Sequence, residues 1–135
     1  MRKGTKWGTG TAALLVIGII MAAGYFALPQ IMQKGEDPLW AIPDGNPQHG
    51  AGAIIRYGCF SCHEIAGIRK ATGRVGPKLH DIREQMYIGG VLANSPDNMA
   101  KWVRNPPRFS PETAMPDLGV MDQDVLDIAA YLYKH

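Results

Sequence analysis

Cys59, Phe60, Ser61, Cys62 and His63 form a C-x-x-C-H run, and no other feature restricts the folding of this chain as strongly. Two thiols three positions apart at a helix end can each form a thioether to a vinyl group of one haem. The adjacent imidazole is then delivered beneath the iron as an axial ligand. A chain attached in this way must fold around a large, flat, apolar group. The composition fits that demand. The chain is 46% hydrophobic, but much of this lies in one N-terminal run, and 16 Gly and 10 Pro make much of the rest loop. A domain of such residues has a thin core of its own, which a central cofactor would fill. Three other readings of the run stand beside this one. A thioredoxin-type dithiol belongs next to a βαβ pattern, which the sequence lacks. Zinc needs a fourth ligand, with His49 or His80 as candidates and no second Cys pair. The third reading is chance. The run and the export signal described next favour haem c, attached through Cys59 and Cys62.

Residues 11–28, TAALLVIGIIMAAGYFAL, carry no charge. As a helix they span roughly 27 Å at about 1.5 Å per residue, close to the ~30 Å hydrocarbon thickness of a bilayer. Trp7 precedes the run, and Tyr25 and Phe26 lie near its end, as interfacial anchors do. Arg2, Lys3 and Lys6 stand on the N-terminal side with no acidic residue among them. The positive-inside rule therefore leaves the N-terminus in the cytoplasm and the rest of the chain outside. A cleaved secretory signal has the same basic-then-apolar order, with Ala22-Ala23-Gly24 as the best cleavage site, and it would export the same domain. We expect 1–28 to be a retained membrane anchor, 29–46 a Pro- and Gly-containing tether, and 47–135 the outer domain.

Net charge is only +2, which argues against nucleic acid as a partner. Charge is segregated nonetheless. Arg69, Lys70, Arg74, Lys78 and Arg83 face Asp81 in one stretch, and Glu112, Asp117, Asp122, Asp124 and Asp127 face Lys134 in another. The basic stretch suits docking to an acidic redox partner, and a solvated loop is the plainer reading.

The outer domain reads as all-α. Asn46-Pro47 caps a first helix running toward Tyr57. Ser95-Pro96-Asp97 opens a second with Met99, Trp102 and Val103 inward, and Asn105-Pro106-Pro107 ends it. A last helix from Asp122 places Met121, Val125, Ile128, Ala129 and Leu132 on one face. No segment has convincing strand alternation. Of the seven Met, Met99 and Met121 fit core stripes and Met86 is ambiguous. Met115 stands in an interhelical loop with Pro116 restricting its backbone, which makes it the best second axial ligand. A neutral thioether favours Fe(II) and raises the potential. His80 or His49 would instead give bis-His ligation.

These residues resemble the class I cytochromes c, in particular bacterial single-haem domains fused or attached to respiratory oxidases. The likeness covers about 47–134. Gly50 and Ile54 precede Gly58-Cys59 as the family's first-helix contact residues do. Gly76-Pro77-Lys78-Leu79 is similar to its G-P-x-L element, and Met115-Pro116 to its axial-Met motif. The resemblance implies that the Pro77 carbonyl accepts the His63 Nδ1–H, that Leu79 packs on the haem, and that Trp102 lies near a propionate. It also implies that the C-terminal helix, ending Ala130-Tyr131-Leu132, crosses the first near Gly50 and Gly52. The implied fold is the class I cytochrome c fold, three main helices around a covalent haem, preceded here by one transmembrane helix. The implied function is one-electron transfer in a respiratory chain, to or within a terminal oxidase or related complex, with no substrate turnover by this chain itself. A soluble periplasmic carrier after signal cleavage is the nearest alternative. A ligand-binding or enzymatic haem protein would need a labile sixth position instead of Met115.

Overall fold

A computed structural model describes residues 16–19, 21–23, 25 and 38–135. The chain divides into two units, Met1–Gly35 and Glu36–His135. The described residues of the first unit are helical. Most of the expected span 11–28 lies outside the described residues. Among those described, no helix is long and apolar enough to cross a membrane.

The second unit is built on three helices whose start signals are local. In α1, Pro47–Arg56, the Asn46 side chain accepts from the Gln48 and His49 backbone N–H groups at 2.9 and 3.3 Å. Pro47 sits where a missing N–H costs nothing. In α2, Pro96–Arg104, Ser95 accepts from the Asn98 N–H at 3.3 Å. In α3, Asp122–Lys134, Asp122 and Asp124 occupy the first turn, where the helix dipole favours negative charge. The stripe expected on α3 is buried at Val125, Ile128, Ala129 and Leu132. Met121 departs from it and is 69% exposed. It precedes the first helical turn with an extended backbone, and its N–H is taken by the Tyr57 hydroxyl at 3.2 Å, so it is out of register with the stripe.

The main helix pair is α1 against α3. Gly50 makes the close approach possible: a Cβ there would lie 2.1 Å from the Asp127 carbonyl oxygen. Gly52, also expected at the crossing, points away and meets only the Arg56 side chain at 3.9 Å. The second close glycine is Gly45, whose Cβ would fall 2.7 Å from the Leu126 carbonyl oxygen. Residues 38–46, read from sequence as the end of a tether, thus pack on α3. The Trp40 ring lies 5.2 Å from that of Tyr133, and Ile42 packs against the core. The Asn46 N–H donates to the buried Asp127 carboxylate at 2.8 Å. Apolar Trp40 and Ile42 supply the burial that holds this Pro-rich strap down.

One element has no counterpart in the sequence reading. Strands β1, Tyr87–Ile88, and β2, Leu92–Ala93, pair antiparallel with Ile88 opposite Leu92. Gly89 and Gly90, both at positive φ, make the turn. The strands are too short to show alternation, so only the Gly-Gly pair could have signalled them.

Candidate haem site

The site is assembled by several loops, the hairpin and α2, which meet over α1 and α3. Gly58, at φ 74°, reverses the chain at the end of α1, and Cys59–Ser61 forms a single 3-10 turn. The His63 N–H bonds the Cys59 carbonyl at 3.0 Å, which brings the imidazole in beside the two thiols. His63 is buried, and its Nδ1 lies 2.7 Å from the Pro77 carbonyl oxygen. A carbonyl can only accept, so Nδ1 carries the proton and Nε2 keeps its lone pair free for a metal. The loop carrying Pro77 is pinned by the Val75 and Gly76 N–H groups, which both donate to the Cys62 carbonyl, at 3.1 and 2.9 Å. Gly76 has to be glycine, because a Cβ there would lie 2.3 Å from His63 Cε1.

These residues form one side of a cavity of about 730 Å³. That is far more than the ~30 Å³ share of one water, and within the roughly 300–1,000 Å³ range of sites that take an organic cofactor. All seven residues singled out from the sequence line it: Cys59, Cys62, His63, Pro77, Leu79, Trp102 and Met115. Two methionines reach it, Met115 from the loop before α3 and Met99 from α2. Met86 is 78% exposed and does not line it. The alternative histidine ligands lie elsewhere. His49 is exposed, 3.8 Å from Asp127, and His80 sits on Asp81 at 3.1 Å. Among the described residues, no group of three or more His, Cys, Asp or Glu is arranged to hold a metal ion, so the zinc reading lacks a ligand set. Burial pushes the Cys59 thiol upward, which disfavours the thiolate that a dithiol redox centre uses.

Comparison with known proteins agrees with this geometry. A family model described as cytochrome c matches residues 48–135. The chain belongs to the cytochrome c family. It is similar to cytochrome c oxidase subunit 2 of Bacillus sp. (strain PS3), with 30% identity over 86 residues, 62% of this chain and 23% of that subunit. It also resembles cytochrome c oxidase subunit 2 of Alkalihalophilus pseudofirmus, with 31% identity over 75 residues, 55% of this chain and 21% of the relative. The chain thus matches less than a quarter of the length of these curated relatives.

As a cytochrome c domain, the second unit has haem c as its covalent cofactor, and Cys59 and Cys62 lie in the haem-binding region. The residues present fit that group: two thiols and an imidazole with a free Nε2 on one side, and apolar walls around it. Sequence reasoning missed much of those walls. Ile65, Ile82 and Ile88 line the cavity from loops and from the hairpin, where no periodicity announces burial. Ile128 and Leu132 line it from α3, and their place on the apolar stripe was the available signal.

Proposed function

We propose that this chain is a membrane-tethered, single-haem electron carrier that delivers electrons to, or within, a terminal oxidase or related respiratory complex. One observation carries the reading: His63, its Nδ1 committed to Pro77, lines the same cavity as the thioether of Met115. Cys59 and Cys62 would hold the cofactor covalently, His63 Nε2 and Met115 Sδ would ligate its iron, and Leu79 and Trp102 would wall it. Haem c supplies one-electron Fe(III)/Fe(II) chemistry. The chain's own contribution would be to orient the imidazole through Pro77, offer the Met115 thioether to the iron and exclude water. An iron ligated by both residues would favour a carrier over an enzyme or gas sensor.

The test is substitution of the methionines in the holoprotein. Wild type should show the weak red charge-transfer band of thioether ligation, and its ferrous form should resist carbon monoxide. Met115→Ala should lose the band, lower the potential and admit carbon monoxide, while Met86→Ala and Met121→Ala keep the band. Met99 also lines the cavity, so a band lost in Met99→Ala but kept in Met115→Ala would reassign the ligand. A wild-type protein that binds carbon monoxide readily would favour a ligand-binding role instead.

The membrane part of the proposal rests on the uncharged run 11–28, on the basic residues before it, and on exposed apolar side chains at Val16, Ile17, Ile19 and Met21. The positive-inside rule puts the N-terminus in the cytoplasm of a bacterium and the haem domain on the periplasmic or outer side of the inner membrane. Likeness to oxidase subunits supports the respiratory setting. Retention in the membrane fraction after a high-salt wash is the expected result. A mature protein beginning near Tyr25 would instead be a soluble carrier released by signal cleavage.

A further inference from the structure

Asn94 stands between β2 and α2 and ties four groups together. Its side-chain amide donates to the carbonyls of Ile82 and Gln85 at 2.6 and 2.8 Å. Its backbone N–H donates to the Met86 carbonyl at 3.0 Å. Its side-chain carbonyl accepts from the Tyr133 hydroxyl at 2.5 Å. Tyr133 is 2% exposed, near the end of α3, with its ring against Trp40. Burial pushes its phenol upward and keeps it a protonated donor.

The segment so held supplies Ile82, Gln85, Tyr87, Ile88, Gly89 and Gly90 to the cavity lining. It consists of one 3-10 turn and a hairpin with two-residue strands, which has little stability of its own. Asn94, Tyr133 and Trp40 do not line the cavity, so any effect they have on its contents acts through this wall.

We propose that Asn94, locked by Tyr133, is a positioning residue that keeps the wall 82–90 closed on the haem and thereby sets water access and reduction potential. The inference rests on the haem-carrier reading for its effect on potential, but the clamp itself is a property of the polypeptide. Loosening the wall admits water, the local dielectric rises, and the more highly charged ferric state gains most. The potential therefore falls.

The deciding variant is Tyr133→Phe in the full-length holoprotein, which removes one hydroxyl and keeps the ring on Trp40. Covalent haem content and the axial-ligand spectrum should be unchanged. The potential should drop, and amide hydrogen exchange across 82–90 should rise about fivefold, the factor that goes with one neutral hydrogen bond. Asn94→Ala should shift both further, and adding Tyr133→Phe to it should change nothing more, because the two act as a unit. Wild-type potential and exchange in Tyr133→Phe, or additive effects in the double variant, would overturn the clamp. If Asn94→Ala does not fold, Tyr133→Phe decides alone. If the wild type holds no covalent haem, the carrier reading fails, and exchange across 82–90 in the same pair of proteins still decides the clamp.

Discussion

Asp124 illustrates how much one side chain can do at the junction of two helices. Its carboxylate accepts from Arg56 Nη2 at 2.6 Å and from the Tyr57 hydroxyl at 2.8 Å, and that hydroxyl also takes the Met121 N–H. The end of α1 is thus fastened to the start of α3. Hydrogen bonds from Arg56, then from Tyr57, hold the Asp124 carboxyl below its ordinary value of 3.8. A carboxyl lowered in the folded chain stabilises it fully above the unfolded value, and this contribution is lost as pH falls through the folded value. Asp124→Asn should therefore melt at a lower temperature than wild type at about pH 7, with the gap closing as pH falls through the lowered carboxyl's range. Melting curves across that range check it, and a gap that widened in acid would contradict the assignment. His63 and Pro77 form another pair set by one contact, at the cavity wall, where the Pro77 carbonyl selects the imidazole tautomer.

At the scale of elements, the packing of α1 on α3 depends on one glycine face. Gly50 and Gly52 are two residues apart on one helix, yet their surroundings are opposite. A methyl at 50 collides with backbone at Asp127, which cannot step aside, while a methyl at 52 meets only a flexible arginine. Gly50→Ala should force the helices apart and cost about 1–3 kcal/mol. Gly52→Ala should stabilise by about 0.5–1 kcal/mol, since glycine inside a helix carries excess unfolded-state entropy. Denaturant titration of both variants tests the crossing, and destabilisation by both would mean that Gly52 has a contact as well. The strap 38–46 is the other lesson at this scale. Its prolines and glycines read as linker, but Trp40 and Ile42 give it enough apolar surface to dock, and Gly45 lets it lie close to α3.

Over the whole domain, charge is less polarised than its order along the chain implies. Part of the acidic end is paired or buried: Asp122 pairs at the surface with Arg104 at 3.0 Å, Asp124 pairs with Arg56, and Asp127 is buried. The basic stretch keeps more of its charge. Lys78 is paired with Glu64 at 3.1 Å and Lys70 lies 4.6 Å over the Phe60 ring. Arg69 and Arg74 are exposed and in no ion pair among the described residues. Val75, Gly76, Pro77 and Lys78 line the cavity, so this basic loop borders the haem site. If it steers the domain onto an acidic partner, Arg69→Glu with Arg74→Glu should slow electron transfer to the native acceptor several-fold at low ionic strength. The difference should shrink as salt shortens the Debye length. Stopped-flow rates at two salt concentrations measure this, and equal rates at low salt would leave the loop a solvated surface.

The sequence by itself determined what depends on neighbours along the chain. The cysteine–histidine run, the Asn46-Pro47 and Ser95-Pro96 caps and the α3 stripe are short-range patterns, and each appears in the fold where the pattern put it, save Met121 at the head of the stripe. Six of the seven candidate site residues lie in C-x-x-C-H, G-P-x-L and M-P, patterns a few residues long, and the seventh, Trp102, follows the Ser95-Pro96 cap on α2. Only the tertiary structure decided what depends on chain segments far apart. Asn46 meets Asp127 across 81 positions, and Tyr133 meets Asn94 across 39. Such partners set which glycine faces a helix, whether a Pro-rich strap docks, and which methionines reach the cavity. A local window cannot report them, because the energy of each residue there is set by a surface that exists only once the chain has folded.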